Sequence, residues 1–345
     1  MGPKLGVAAC VALGCCGPAA AQDDPPADQA GDVQGETPGV QAQDAQGQVA
    51  ESQVAESTEG DPPVQGPPPQ LPPRFSFDLS QTGDFEAGGH IDGGGDVFVA
   101  RIGQEVGLTW LPSLRTRARF TLGNELTFYD FDDAFVLDPI DGDPFDSFNE
   151  QSLGGSVFHV PNQTWTLVAN GAVGFSREDD ADYGDSFVWR VGGGALYRVL
   201  PNVSLGAGFL AQSRFDDEIR LLPIPLVDVE FQLAEDVRFV LNTVDGGRFL
   251  YEPSDAWTFS LIGNFADEQF RLDDEGFAPD GVFTEQRVNV FGEAEWKPLP
   301  GLSLRAGVGS VVYREYEIED AEGVELNDAT LDPAVYARFG LTYRF

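Results

Sequence analysis

Two histidines, His90 and His159, are the only imidazoles in this 345-residue chain. Any general base or activated nucleophile working near neutral pH would start from one of them. His90 lies in the run Gly88-Gly89-His90-Ile91-Asp92-Gly93-Gly94-Gly95, with no serine close by, and His159 precedes Val160-Pro161. Neither carries a His-x-Ser pattern, so no enzymatic activity is expected. The triple glycine is no phosphate loop, because no helix follows it. The three cysteines (Cys10, Cys15, Cys16) and the single methionine fall at the start of the chain, which leaves no thiol or soft-metal chemistry further on. No cofactor is expected.

Carboxylates are the remaining candidates. Asp130, Asp132, Asp133, Asp138, Asp141, Asp143 and Asp146 crowd one segment, and further acidic runs occur at 178–185, 216–218, 273–275 and 315–325. Clustered carboxylates suit hard divalent cations, with Asp132, Asp133, Asp141 and Asp143 as the candidate ligands. No segment has EF-hand spacing, and a solvated, self-repelling rim is the alternative. The chain carries 57 acidic against 20 basic residues, a formal charge of −37. That charge excludes nucleic acid as a partner.

The elements that would position these residues fall into three parts. Residues 1–21 combine Lys4, the apolar run Leu5–Leu13 and Ala19-Ala20-Ala21, the composition of a secretory signal peptide. A lipoprotein signal acylated at Cys10 or Cys15 is the rival reading. Residues 22–73 form an acidic Pro/Gln-rich linker with ten acidic and no basic residues over 22–72, expected to be disordered and periplasmic.

From Arg74 to Phe345 the pattern changes to period-2 alternation in segments of about ten residues, the length of a tilted membrane-spanning strand. Ala118, Phe120, Leu122, Leu126 and Phe128 share one face of such a segment, and Arg117, Arg119, Thr121, Glu125 and Thr127 the other. Strands are predicted at 74–82, 96–110, 115–128, 151–160, 164–175, 187–199, 203–212, 226–233, 237–244, 248–251, 257–271, 284–296, 302–313 and 334–345. That makes 14, or 12 if the hairpin 237–251 does not span.

Short turns such as Leu111–Leu114 and Lys297–Gly301 alternate with long loops at 129–150, 176–186, 213–224, 273–282 and 314–332. The expected fold is an all-β, antiparallel, transmembrane meander barrel of 12–14 strands. Trp110, Trp165, Trp189, Trp257 and Trp296 have the parity of the apolar face and are expected to form aromatic girdles. The opposite parity assigns Arg101, Glu105, Arg115, Arg117, Arg119, Glu125, Arg190, Arg198, Arg287, Glu293, Glu295, Arg305 and Arg338 to the lumen, because arginine facing mid-bilayer lipid costs about 2–4 kcal/mol.

The last strand, Ala337-Arg338-Phe339-Gly340-Leu341-Thr342-Tyr343-Arg344-Phe345, resembles the assembly signal of Gram-negative outer-membrane β-barrels, with Tyr343 and Phe345 at its end. The stretch from Leu221-Leu222-Pro223-Ile224-Pro225 to Tyr251-Glu252-Pro253 is similar to a barrel family of unknown function. The resemblance implies an outer-membrane location, contact with outer-membrane lipid and recognition by the barrel-assembly machinery. It implies no reaction. Two readings follow. One is a small passive, porin-like channel with an acidic extracellular mouth. The other is a non-conducting structural, adhesive or envelope-anchoring barrel acting through its loops and linker. A constriction loop folded inward would separate them, and 129–150, with Phe131, Phe135, Phe145 and Phe148, is the segment long enough to form one.

Overall fold

The computed structural model describes residues 74–345 apart from 141, 180, 216–218, 244 and 245. The signal segment and the linker lie outside the described residues. Alternation becomes strand after strand: β1 (Phe75–His90), β2 (Asp96–Ser113), β3 (Thr116–Asp132), β4 (Ser147–His159), β5 (Trp165–Glu178), β6 (Phe187–Leu200), β7 (Val203–Ser213) and β8 (Ile219–Ala234). There follow β9 (Val237–Asn242), β10 (Gly246–Ser254), β11 (Trp257–Arg271), β12 (Val282–Leu299), β13 (Leu302–Glu319), β14 (Glu325–Leu331) and β15 (Ala334–Arg344).

Each strand pairs antiparallel with the next through β13. Ten register pairs join β13 to β15, and ten more join β15 to β1, from Asp78↔Arg344 to Ala87↔Val335. The sheet therefore closes on itself. The short β14 pairs with the upper part of β13, and its last residue bridges to Ile91 beyond β1. It thus continues the wall position of β15 past Pro333, and the wall has 14 positions. The hairpin β9–β10 is short but is paired into the wall on both sides, to β8 and to β11, so it contributes two of the 14 positions.

Side-chain placement is inverted relative to a water-soluble protein. Phe77, Leu79, Ile102, Leu122, Leu167, Phe209, Leu261 and Phe339 are exposed, whereas Arg101, Glu105, Glu86, Glu285 and Arg314 are buried. An apolar outer surface around a charged interior is the arrangement that lipid selects.

Several boundaries differ from the sequence expectation. β1 runs to His90 rather than ending near 82, and β13 to Glu319, so most of 314–332 is strand rather than loop. β8 begins at Ile219, which shortens the expected 213–224 loop. Pro223 and Pro225 lie inside that strand, and its edge explains why. Above Asp228↔Asn242, β8 has no ladder partner on its β9 side among the described residues. The Val227 amide donates to Thr243 Oγ1 at 2.7 Å, and that hydroxyl reaches the Pro225 carbonyl at 3.0 Å. Residues two apart point their backbone groups the same way. Pro223 and Pro225 therefore stand where an N–H would otherwise face the unpaired side, and proline is tolerated on such an edge.

At the loop end the wall narrows. Arg177 of β5 bridges in parallel to Arg271 of β11, and Ser176 Oγ donates to the Gln269 carbonyl at 2.6 Å. Gly194 permits the curl of β6–β8, since a Cβ there would sit 2.6 Å from both the Ala207 carbonyl oxygen and Leu226.

Replacing both prolines (Pro223→Val with Pro225→Val) adds two donors to an edge that has no ladder partner among the described residues. Each donor without a partner costs roughly 1–3 kcal/mol. The urea midpoint of the protein folded in lipid vesicles should fall accordingly, and an unchanged midpoint would show that this edge is already hydrated or paired.

Candidate functional site: a charged waist below an aromatic plug

Lumen-facing side chains of β1, β2, β11, β12 and β13 meet at one level. Glu285 sits at their centre, fully buried. Arg101 Nη2 donates to its two carboxylate oxygens at 2.8 and 2.6 Å, and the Tyr129 hydroxyl donates to Oε2 at 2.8 Å. Arg287 Nη1 reaches the same oxygen at 2.9 Å, and Arg287 also pairs with Glu268 through contacts of 2.7 and 2.8 Å. Arg314 Nε lies 3.4 Å from Glu285 Oε1, and Glu86 pairs with both Arg101 and Arg314. Arg101 and Glu285 are four wall positions apart, and Tyr129 comes from the next strand still, so these bonds cross the lumen rather than run along its wall. Arg338 holds Asp84 by contacts of 2.8 and 2.6 Å nearby. Glu125 and Glu150 face each other on β3 and β4 at this waist, a like-charged cross-strand pair.

Above the waist the lumen is filled. Tyr129, Phe145, Phe148, Phe270, Phe283 and Tyr316 are buried together, with Ile91, Val97, Val99, Leu137, Ile318 and Leu331 around them. Phe145 and Phe283 approach to 4.3 Å between centroids, Phe148 and Phe270 to 4.4 Å. The 133–146 segment folds inward to supply Ala134, Leu137 and Phe145, and Phe131 packs on the cluster. Phe135 instead stays exposed.

Below the waist, toward the turn end, Arg119 bridges Asp78 (3.0 and 2.8 Å) and Glu105 (2.8 Å). Arg238 joins Glu230 and Glu252, each at 3.0 Å, and these three are only partly buried. Arg117, Glu293, Glu295 and Arg305 are likewise half-buried there, and Arg305 reaches Thr342 at 3.2 Å, whereas Arg190, also half-buried, lies toward the loop end of β6. The lumen is thus accessible from the turn end and packed shut toward the loop end.

Two expected lumen charges lie elsewhere. Arg115 falls in the β2–β3 turn, where it donates to the Pro161 carbonyl at 3.0 Å, because β3 starts one residue later than its parity run suggests. Arg198 is exposed near the turn end of β6. Trp110, Trp165, Trp257 and Trp296 lie on the outer surface near the turn end, with Trp257 and Trp296 stacked at 5.9 Å, and Trp189 lies near the loop end. Tyr343 and Phe345 contact edge to face, 4.7 Å between centroids. His90 Nδ1 lies 3.1 Å from Asp96, and His159 Nδ1 2.9 Å from Thr116 Oγ1. Asp132 ends β3, Asp133 adopts a left-handed φ of 56°, Asp143 is exposed and Asp141 lies outside the described residues. Among the described residues no three His, Cys, Asp or Glu side chains are grouped as a metal site.

Glu86, Glu150, Glu268, Glu285, Arg314 and Tyr129 were not among the expected lumen residues. Parity with Arg287 marks Glu285 directly. Glu86 and Arg314 lay in segments expected to be loops.

The fold and site define a class, a closed antiparallel transmembrane β-barrel with a charged lumen. No protein-family model and no curated protein matches the chain. Among solved structures it is similar to the toluene transporter TodX of Pseudomonas putida (10% identity, 80% of this chain and 91% of that one, TM-score 0.41). It is similar to an outer-membrane channel from Pseudomonas putida F1 (10%, 83% and 100%, 0.41) and to the translocator domain of autotransporter NalP from Neisseria meningitidis (12%, 80% and 90%, 0.34).

Removing one partner of a buried ion network costs about 3–5 kcal/mol, whereas an exposed turn residue is worth within about 0.5 kcal/mol. Arg101→Ala should therefore lower the unfolding free energy in vesicles by several kcal/mol and Arg115→Ala hardly at all. Equal effects would place the two arginines in equivalent surroundings.

Proposed function

We propose that the chain is an outer-membrane, porin-like barrel whose turn end faces the periplasm and whose lumen is gated rather than permanently open. The observation that carries this reading is the Glu285-centred network crossing the lumen, with the aromatic plug packed above it. Half-exposed charges below the network supply a watery vestibule for small solutes, and paired charges line it. The acidic loops form an extracellular rim that enriches cations near the mouth. On this reading residues 1–21 direct export, 22–73 remain in the periplasm, and the assembly machinery acts on the terminal strand. Catalysis has no part in it.

A second reading, a non-conducting barrel acting through its loops, is favoured by the size of the buried cluster at the loop end. Planar-bilayer recordings separate the two. The wild-type chain should give no sustained steps. Phe145→Ala with Phe148→Ala, checked for folding by heat-modifiable migration, should give cation-preferring steps. Long-lived ohmic steps from the wild type would overturn the gate. Silence from a folded plug variant would favour the second reading.

A further inference from the structure

Charge is divided unevenly between the two ends of the wall. The acidic runs at 130–146, 178–185, 273–275 and 315–325 belong to the loop end. At the turn end the segments 74–77, 110–117, 157–166, 197–204, 297–303 and 342–345 contain no aspartate or glutamate. In wall order these segments are consecutive, from β12 through β13, β15 and β1 round to β7. Acids at this rim are confined to the remaining sector. There Glu230, Glu235, Asp236, Glu252 and Asp255 flank β8 to β11, and Arg238 joins Glu230 and Glu252. A chain with 57 acidic and 20 basic residues thus keeps one long arc of its rim free of acids.

The arc is cationic as well as acid-free. Arg74, Arg115, Arg198 and Lys297 are exposed along it. Arg115 donates to the Pro161 carbonyl of the neighbouring turn, and Lys297 Nζ lies 3.4 Å from the half-buried Glu295. Apolar side chains accompany these charges. Leu114, Leu200 and Leu299 stand at the turns with 84, 54 and 63% of their surface exposed. Just inside the turns the outer surface carries aromatic pairs, with Phe75 stacked on Trp110 at 6.3 Å and Trp165 edge to face with Tyr197 at 5.1 Å. Such rings sit at headgroup level. The basic side chains of the turns therefore stand at the height of the lipid phosphates.

We propose that this arc is a docking surface for anionic phospholipid headgroups in the leaflet at the turn end. Basic side chains within a Debye length of an anionic lipid surface are attracted to it. Arg115, Arg198 and Lys297 come from three different turns, so they meet separate headgroups and together order a shell of them around the arc. The acidic sector from β8 to β11 repels the same headgroups and leaves that shell open on one side. Charge complementarity selects an anion, and the aromatic pairs and exposed leucines beside the charges select a lipid over a soluble polyanion. On the proposed orientation the leaflet is the periplasmic one. The inference itself rests on the transmembrane barrel alone, since any leaflet meeting the turn end supplies the headgroups, and the gate plays no part in it.

The test places the full chain in phosphatidylcholine vesicles with a trace of spin-labelled phosphatidylglycerol or spin-labelled phosphatidylcholine. Electron spin resonance then compares how strongly each label associates with the protein surface. Phosphatidylglycerol should be favoured about twofold or more at low salt, averaged over the whole perimeter, and much less at high salt. Arg115→Gln with Arg198→Gln and Lys297→Gln should abolish the preference. Arg115→Lys with Arg198→Lys should keep it, and heat-modifiable migration checks that each variant is folded. Equal association of both labels with the wild type overturns the proposal, as does a preference that survives the triple glutamine variant. A preference that appears only when the ten acids of residues 22–72 are replaced by their amides also overturns it, because that segment of the chain would then be what covers the arc. Bilayer recordings keep the readings apart. Lipid preference with long-lived wild-type steps sinks the gate alone, and a silent wild type without lipid preference sinks the arc alone.

Discussion

A wall in lipid has to satisfy its backbone internally, and the pairing of β13 with both β12 and β15 is what allows it here. Once the sheet closes, hydrogen bonding of the wall no longer depends on side chains. The outer residues are then selected for contact with hydrocarbon and the inner ones are released for polar work. That division explains why Arg101 and Glu285 can be buried at all. They are withdrawn from water not by an apolar core of the usual kind but by a ring of backbone whose own polar groups are spent on each other. Inside such a ring, charge must answer charge. Glu285 has Arg101, Arg287 and Arg314 around it, and Glu86 takes Arg101 and Arg314 in turn.

The same closure creates a difference between the two ends. At the turn end all 14 positions contribute to the circumference. At the loop end β5 touches β11, and the strands between them stand outside that contact. A smaller ring encloses less volume. Side chains that would leave a water-filled bore at 14 strands fill it completely when the circumference shrinks. The aromatic plug thus follows from the β5–β11 bridge as much as from the phenylalanines themselves, and the charged waist marks the level where the wide vestibule ends.

Alternation made the strands and their faces legible, because a barrel in lipid imposes the period of two on every strand. Lumen arginines such as Arg119 and Arg287 could be read from parity alone. Parity carries no height, however. It could not distinguish Arg115, in a turn, from Arg117 two residues on, nor place Glu86 and Arg314 at the same level as Arg101. Both of those residues lie beyond points where glycine or acidic composition suggested that a strand had ended. The inward course of the 133–146 segment was equally hidden, since aromatic residues in a long loop suit a surface as well as a plug. Pro223 and Pro225 misled for a physical reason. Proline inside a strand argues against a strand only when both edges are paired, and pairing is a property of the neighbours.

Those neighbours are where the wall departs from its own rule. Six residues of β9 rise about 20 Å along the strand, and at a tilt near 40° they cover about 15 Å of bilayer normal, short of the roughly 25 Å apolar band of such barrels. Something other than a β9–β10 ladder must then meet hydrocarbon over the remaining height. On the β8 side the answer is local chemistry: two prolines remove donors, and Thr243 takes up the Pro225 carbonyl and the Val227 amide. On the β11 side it is a borrowed strand end, with Ser176 on the Gln269 carbonyl and Arg177 bridging Arg271. Among the described residues the stretch between them has neither device, and Arg220 and Asp267 approach to 3.9 Å above it. Removed donors on the β8 edge and a borrowed strand end on the β11 edge together lower the cost of leaving those two strands without a ladder between them.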